Sequence, residues 1–411
     1  MAVTDLDRFL TNLDVVQRER LLIEDPPNEE VRWPIVSVDD HLLEPRDTFV
    51  GRLPARLQDR APRVVEDEQG TEWWDFEGER VPILGTNAAV SWTYSDCYGG
   101  PVRFDQLRAG AYDVHARVKD MDVSGIVASL CFPSMVFGFA GRRFAAMRDR
   151  ELGFACMRAY NDWFFEAWRG SYPHRFIAAQ VPWLVDVEVA AEEIRRNASR
   201  GFTAVNFSEN PEKLGLPSIH TGYWDPFFTA CQETGTVINL HAGSSSQTLA
   251  PSTDSPYEVI AALFQVNGLA STADWLFSRV PLRFPEIKLA MSEGGIGWLP
   301  SLLDRLDHMQ GRYPASNDGG LATIWYGDFS PAEVVLRNFW YSSIYDPSTF
   351  QILDRLNADH VMMEVDYPHI DSTWPHSQAR LLEQLGHLDD ETARKLTYGN
   401  GAHLYRLDLR L

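Results

Sequence analysis

Eight short apolar segments, most of them separated by helical patterns, limit the fold of this chain more than any other feature of its sequence. In chain order they are residues 34–38, 126–132, 176–181, 203–207, 236–240, 287–291, 339–342 and 361–365. Continuous apolar runs are typical of parallel strands that are buried on both faces. Eight such strands with intervening helices predict an α/β protein with the (β/α)8 TIM-barrel fold, which can accommodate 411 residues in one domain. A doubly wound sheet is the alternative, although no GxGxxG motif follows the first segment.

Three further segments are longer than the loops that a minimal TIM barrel needs. Residues 48–112 follow the first strand, alternate in polarity and contain the turn signals EQG and FEG, which together predict a β-rich insertion. Long loops are predicted after the fifth strand, at residues 242–285, and after the sixth, at residues 310–335. Because TIM-barrel active sites lie at the carboxyl ends of the strands, the insertion and the first of these loops are expected to shape the pocket.

The bulk properties of the chain limit its partners. A net charge of -21 argues against binding to nucleic acids or to anionic membranes, because both need a basic surface. The chain has no apolar run long enough for a membrane span, no signal-peptide pattern at its start and no CxxC pair among its four cysteines. We therefore expect a cytoplasmic enzyme that acts on a small-molecule substrate. Residues 1–30 are predicted to form an N-terminal helical arm, ahead of a barrel domain at 31–411, and to contribute to a homodimer.

Residues with metal-binding side chains fall at the ends of three predicted strands. Asp39 and His41 follow the first strand, His241 follows the fifth and Asp366 follows the eighth. In a TIM barrel the carboxyl ends of all strands meet on one face, so these residues are expected to converge. Each has an ordinary explanation when taken alone, as a turn residue or a hydrogen-bonded core histidine. Their coincidence at three strand ends predicts a divalent-metal site with an open position for water.

Four motifs of this chain resemble the amidohydrolase superfamily, over about residues 36–407. They are SVDDHLLEP at 37–45, WDPFFTACQETGTVINLHAG at 224–243, PEIKLAMSEGGIGWLPSLLDRLD at 285–307 and EVDYPHIDSTWPHS at 364–377. The chain is most similar to the amidohydrolase-2 branch, which contains aminocarboxymuconate-semialdehyde decarboxylase and the resorcylate and carboxyvanillate decarboxylases.

The resemblance implies a single metal ion and the residues that bind it. The family places an H-x-H or E-x-H pair after strand 1, a His after strand 5 and an Asp after strand 8, and these positions match Asp39, His41, His241 and Asp366. Asp39 is a shorter carboxylate than the Glu of the family. The fourth strand lacks the bridging Lys of binuclear members, which implies a mononuclear site. We expect Zn²⁺, with Mn²⁺ as the alternative.

The chain departs from the decarboxylases after the sixth strand. Those enzymes carry a His before a pair of glycines, and this chain has Glu293 before Gly294 and Gly295. A carboxylate can act as a general acid or base, but it cannot attract a substrate carboxylate as an imidazolium does. The first hypothesis is therefore a metal-dependent hydrolase that uses metal-activated water on an amide, ester, lactone or activated C–C bond of a small, cyclic or aromatic carbonyl substrate. The alternatives are a non-oxidative decarboxylase of an aromatic or enoic acid and a non-catalytic, ligand-binding barrel.

The same comparison of motifs suggests roles for further residues. Asp366 is the predicted base, and Glu293 and His369 are the candidates that pass a proton to the leaving group. Five aromatic residues are predicted to line the substrate pocket: Trp92, Tyr94, Trp183, Phe207 and Trp374.

Overall fold

The computed structural model describes residues 21–309 and 328–409. Its strands, numbered in chain order, are β1 (Ile35–His41), β2 (Arg63–Glu66), β3 (Glu72–Phe76), β4 (Glu79–Pro82), β5 (Ile126–Phe132), β6 (Ala179–Gln180), β7 (Ala204–Ser208), β8 (Val237–His241), β9 (Leu289–Ser292), β10 (Phe339–Ser343) and β11 (Val361–Met363). Strands β6 to β11 form a parallel sheet in sequence order, and β1 pairs in parallel with β5. These eight parallel strands are the ones that the apolar segments predict.

Hydrogen bonds outside the regular ladders join the two sheets into a ring. Ser129 of β5 forms a parallel bridge with Phe176, just before β6. On the other side, the backbone N–H of Asp366 donates to the carbonyl of Asp39 at 2.9 Å, and that of His41 donates to the carbonyl of Tyr367 at 2.7 Å. The predicted TIM barrel is therefore confirmed, and its first and last strands are tied together at the residues of the predicted metal site.

Helices cover the outside of the barrel. The α-helical segments are Ala55–Gln58, Val114–Val123, Arg142–Ala146, Arg150–Trp163, Val187–Arg200, Asp225–Thr234, Tyr257–Ala262, Gln265–Phe277, Val280–Arg283, Leu299–Met309, Pro331–Asn338, Pro347–Phe350, Ser377–Leu385, Asp390–Arg394 and Asn400–Leu404. Local sequence sets several of their ends. Asp186 caps Val187–Arg200 by accepting hydrogen bonds from the N–H groups of Glu188 and Val189. The same helix ends at Gly201, whose φ of 106° suits glycine.

Side chains of the barrel strands alternate between two cores. In β7, Asn206 points inward and accepts a hydrogen bond from Asn239 of β8 at 2.9 Å. The next residue, Phe207, points outward, and its ring lies 5.0 Å from those of Trp224 and Phe227 in the helical layer. The prediction that Phe207 lines the pocket is therefore wrong, because side chains alternate along a strand and this one faces the helices.

The predicted insertion after the first strand is confirmed as a β-meander. Strands β2, β3 and β4 form an antiparallel sheet within residues 48–112. The N–H of Val90 donates to the carbonyl of Pro368 at 3.2 Å, so the insertion reaches the carboxyl end of the barrel. The loop predicted after the fifth strand contains three of the helices given above, between Tyr257 and Arg283.

Two other predicted segments are only partly described. Residues 310–327 of the loop after the sixth strand and residues 1–20 of the predicted arm lie outside the described residues. Residues 21–30 contain no helix or strand, and the homodimer stays a prediction. Within residues 21–309 and 328–409, no helix has both the length and the apolar character needed to span a bilayer.

The outward packing of Phe207 predicts a stability effect without an effect on the metal site. We expect Phe207→Ala to lower the free energy of unfolding by about 3–5 kcal/mol, since it leaves a cavity between β7 and the helical layer. Tyr94→Ala is the control, because Tyr94 is 90% exposed and its loss should change stability by less than about 0.5 kcal/mol. Urea unfolding measures both, and a Phe207→Ala loss as small as that of the control would contradict the packing role.

Candidate metal centre

The barrel delivers the four predicted ligands to one point at its carboxyl end. Asp39 and His41 are the last inward-facing residues of β1, His241 is the last residue of β8, and Asp366 follows β11. All four side chains are at most 1% exposed. Donors from distant parts of the chain are therefore held on strand ends at one rim of the barrel.

The four side chains face one another. Nε2 of His41 lies 3.1 Å from Nε2 of His241, 3.4 Å from Oδ1 of Asp39 and 3.5 Å from Oδ1 of Asp366. Nε2 of His241 lies 3.5 Å from Oδ2 of Asp39. The convergence expected from the strand ends is thus present as direct contact between donor atoms.

Two further predicted site residues join the cluster. Glu293 follows β9, and its Oε2 lies 3.1 Å from Nε2 of His241. His369 places Nδ1 2.9 Å from Oδ1 of Asp366 and stacks its ring on that of His41, with centroids 3.8 Å apart. The donor atoms therefore fall into two overlapping groups that share His41, one containing Glu293 and the other His369.

Two of the site carboxylates have a left-handed backbone. Both Glu293 and Asp366 have a φ of 54°, which is uncommon for residues other than glycine. Such conformations persist where surrounding contacts hold them, and they cluster at functional sites. Here the N–H of Glu293 donates to Oε2 of Glu364 at 3.1 Å, and the N–H of Asp366 donates to Asp39 as described above.

The cluster concentrates buried acidic groups. Burial, reinforced by the charge of Glu364, raises the pKa of Asp39 and Asp366 well above the usual range. Burial also raises the pKa of Glu293, with Asp366 as the next cause, and raises that of Glu364 to about 7. Ionised carboxyl groups in such a place require a nearby positive charge.

The histidines cannot supply that charge readily. Burial lowers the pKa of His241 to about 3 and that of His369 to about 4, and it lowers that of His41 well below the usual value. Neutral imidazoles are the form that binds metal ions. Both oxygens of Asp39 are buried and accept no hydrogen bond from the described residues. Orphaned carboxylate oxygens beside neutral imidazole nitrogens fit a divalent cation, which would satisfy both.

A second layer of polar contacts, which the sequence did not reveal, fixes the ligand-bearing segments. Asp40 accepts hydrogen bonds from Ser129 and, at 2.9 Å, from the N–H of Tyr367. The buried guanidinium of Arg117 donates to the carbonyl of His41 and lies 4.2 Å from the centroid of the Tyr367 ring. Asp40 and Arg117 therefore tie β1 to the segment that carries Asp366, as outer contacts of metal ligands commonly do.

Two phenylalanines form the aromatic wall of the cluster. The ring centroid of Phe139 lies 4.2 Å from that of His241 and 4.7 Å from that of His41. Phe132, at the end of β5, lies 4.8 Å from His241. Neither was predicted, because Phe139 lies in a loop after the strand and only the folded chain shows where it points.

Other predicted pocket residues lie elsewhere. Tyr94 is 90% exposed. Trp374 donates its Nε1–H to the carbonyl of Asp120 at 2.8 Å, and its ring packs on Tyr367 below the cluster. Trp183 packs on Phe154 of the helical layer, 5.4 Å away. The predictions for Trp374 and Trp183 are therefore wrong, because both side chains pack against residues outside the cluster, and a role for Tyr94 in substrate binding stays a prediction.

The remaining aromatic prediction stays open. Trp92 is buried within the insertion beside Gly85, and a role for Trp92 in substrate binding stays a prediction.

Comparison with known proteins adds a family and several structural relatives. A profile of the amidohydrolase family matches residues 112–407. A solved amidohydrolase from Mycobacterium avium subsp. paratuberculosis has a TM-score of 0.68 and 21% identity, and the match covers 92% of this chain and 100% of that one. The 5-carboxyvanillate decarboxylase of Sphingomonas paucimobilis has a TM-score of 0.59 and 20% identity, with 75% of this chain and 88% of that one covered.

A third structural relative was solved with a metal. The 5-carboxyvanillate decarboxylase of Novosphingobium aromaticivorans, complexed with manganese and a nitrobenzoic acid, has a TM-score of 0.62 and 16% identity. That match covers 95% of this chain and 100% of the other. At these identities the likeness shows the barrel fold.

The geometry predicts a metal site that depends on His241. We expect the purified chain to bind a divalent ion, and His241→Ala to weaken binding more than about 100-fold, since loss of outer contacts alone costs about 10–100-fold. His220→Ala is the control, because His220 is exposed and pairs with Asp274 on the surface. Calorimetric titration with Mn²⁺ and with Zn²⁺ measures the affinity. Equal binding by His241→Ala and the control would remove His241 from the site.

Proposed function

The chain belongs to the amidohydrolase family, and on that premise we propose that it is a metal-dependent, non-oxidative decarboxylase of a small aromatic or enoic acid. The observation that carries the proposal is the contact of His369 with Asp366, a buried pair able to move a proton, directly beside the metal-binding cluster. Asp39, His41, His241 and Asp366 would hold the cation. Decarboxylase activity among the structural relatives supports the same reaction class.

The bound cation would supply positive charge that holds the carboxylate of the substrate and an adjacent oxygen. Mn²⁺ is the proposed ion in preference to Zn²⁺, because the cluster is rich in carboxylate oxygens, which favour Mn²⁺. Manganese in a decarboxylase relative is consistent with this assignment. Zn²⁺ stays the alternative, since two imidazoles also suit it.

His369 and Asp366 would deliver the proton that replaces CO2. Nδ1 of His369 lies 2.9 Å from Oδ1 of Asp366, while its Nε2 is buried and has no hydrogen-bond partner among the described residues. His369 would take a proton from solvent at Nε2, with the carboxylate of Asp366 beside Nδ1 to offset the charge, and would pass this proton to the substrate carbon. The bond between the substrate carbon and its carboxylate breaks as the new C–H bond forms. One carboxylate anion and one proton therefore give the decarboxylated product and CO2.

An aromatic substrate fits the walls of the site. Phe139 and Phe132 place flat, apolar rings against His41 and His241. A planar substrate beside the ring of Phe139 would gain an offset-stacked or edge-to-face contact, worth about 0.5–1.5 kcal/mol. The same walls exclude water and so strengthen the electrostatic interactions at the reacting carboxylate.

Hydrolysis is the second candidate, and Glu293 is the observation that favours it. Glu293 adds a carboxylate where the decarboxylases of the resembling branch have a histidine, so the substrate carboxylate meets a like charge there. In the hydrolytic reaction Asp366 would act as the base towards water, and the substrate would be an uncharged ester, amide or lactone.

Product analysis separates the two reactions. Mn²⁺-loaded enzyme incubated with a panel of hydroxybenzoates and enoic acids is expected to release one CO2 for each substrate molecule consumed. Asp366→Asn should reduce this release by at least about 10²–10⁴-fold, the usual loss for a general acid or base. No CO2 from these acids, together with incorporation of one ¹⁸O atom from labelled water into the product of an ester, amide or lactone, would instead establish hydrolysis.

The role of His369 can be separated from metal binding. We expect His369→Gln to lower kcat by about 10²–10⁴-fold because it removes the proton carrier. Its Mn²⁺ affinity should fall by no more than about 100-fold, the upper end of the usual cost of losing an outer contact, if His369 acts on the substrate and leaves the metal to other ligands. His376→Gln is the control, since His376 is exposed on the same segment. Wild-type turnover by His369→Gln would refute the proton-transfer role.

A further inference from the structure

We propose that Glu293 binds the metal ion directly, as a fifth protein ligand beside Asp39, His41, His241 and Asp366. Neither the predicted ligand set nor the family pattern that it matches includes a residue after the sixth barrel strand. This inference rests on metal binding, and it does not depend on which reaction the enzyme catalyses.

Distances within the cluster support the fifth ligand. The donor atoms of Asp39, His41, His241 and Glu293 all lie within 4.8 Å of one another. Oε2 of Glu293 lies 3.1 Å from Nε2 of His241, closer than either oxygen of Asp39 comes to an imidazole nitrogen. By proximity alone, Glu293 is at least as well placed as the predicted ligand Asp39.

The protonation of His241 makes this contact informative. Nδ1 of His241 lies 2.6 Å from the carbonyl oxygen of Ala242, which can only accept a hydrogen bond. Nδ1 therefore carries the hydrogen, and Nε2 of the neutral ring presents a lone pair to Glu293. Two lone-pair donors at 3.1 Å repel each other unless a cation or a proton lies between them. A cation at this position and a proton at this position predict different effects of the Glu293→Gln substitution.

The backbone around Glu293 is held by three separate elements. Besides the hydrogen bond to Glu364, Trp298 donates its Nε1–H to the carbonyl of Gly294 at 2.7 Å. A Cβ on Gly268, in the helix Gln265–Phe277, would lie 2.9 Å from the Cα of Gly294, so only glycine lets the helix pack this closely. These contacts maintain the left-handed conformation of Glu293 and aim its carboxylate at His241. A strained backbone that fixes the direction of one side chain is expected of a metal ligand and is unnecessary for a solvated glutamate.

Metal affinity of three variants tests the proposal without any substrate. Glu293→Gln keeps the shape and loses the charge, Glu293→Asp keeps the charge and shortens the reach, and Asp371→Asn is the matched control. Asp371 is exposed, and its charge is close enough to raise the pKa of Glu293. It therefore reports the effect of removing a nearby charge that is outside the donor group.

Direct ligation predicts that Glu293→Gln and Glu293→Asp each weaken Mn²⁺ binding more than about 100-fold, beyond the loss of about 10–100-fold for an outer contact, while Asp371→Asn changes it less than about threefold. Affinity is measured by competition with a chelator of known strength, and thermal unfolding of the metal-free variants shows whether they fold. If Glu293 only donates a proton to His241, the amide N–H of Gln replaces it and the affinity of Glu293→Gln stays at the wild-type level. That result, or wild-type affinity in Glu293→Asp, would overturn the proposal.

A second measurement follows the ligands themselves. Absorption of Co²⁺ in the visible range depends on coordination number and geometry. The spectrum of the Co²⁺-loaded chain is expected to change in Glu293→Gln and to stay unchanged in Asp371→Asn. An unchanged spectrum in Glu293→Gln would also overturn the proposal. Because neither measurement uses turnover, failure of the decarboxylase proposal would leave both results interpretable.

Discussion

Four buried carboxyl groups and the partly exposed Glu293, all at the mouth of the barrel, are the constraint on which the rest of the site depends. The buried four are Asp39, Asp40, Glu364 and Asp366. Each raises the cost of ionising the others, and burial alone makes the charged forms unfavourable. Asp40 and Glu364 accept hydrogen bonds from hydroxyl and backbone groups, which satisfies part of this demand. The oxygens of Asp39 have no such donor and face imidazole nitrogens. A divalent cation would neutralise these carboxylates and bind the imidazole nitrogens beside them. The local fold of the chain places the residues that would hold it.

The barrel meets that need at some cost in backbone strain. Strand ends supply direction, since residues on adjoining strands share one rim. Glu293 and Asp366 nevertheless turn through left-handed conformations, each of which costs roughly 1 kcal/mol or more. Contacts made by Arg117 and Asp40 hold the segment after β11 against β1, so the strain cannot relax by a shift of one segment. This rigidity holds the donor atoms in position before the cation binds, which lowers the entropic cost of binding.

Sequence patterns predicted the barrel because buried parallel strands leave a direct record of continuous apolar runs. They also predicted which residues converge at the cluster, because the D-x-H pair of Asp39 and His41 and the strand-end His241 have fixed places relative to those runs. The pocket walls left no such record. Phe207 has the composition of a pocket residue and the orientation of a packing residue, whereas Phe139 acts as a wall from within a loop. Side-chain direction in loops and the identity of long-range partners depend on tertiary contacts that no local spacing encodes.

Glu293 links the coordination of the metal to the chemistry of the substrate. Asp39 and Asp366 would balance the charge of a divalent ion, and an ionised Glu293 would leave the centre with a net negative charge. An ionised Glu293 would then repel a substrate carboxylate, and its side chain, which is 17% exposed, is more accessible to substrate than the fully buried Asp39 and Asp366. An uncharged ester or lactone would meet no such repulsion. The charge of Glu293 thus changes the binding free energy of an acid substrate relative to that of a neutral one. The strength of its bond to the metal therefore bears directly on which reaction the enzyme catalyses.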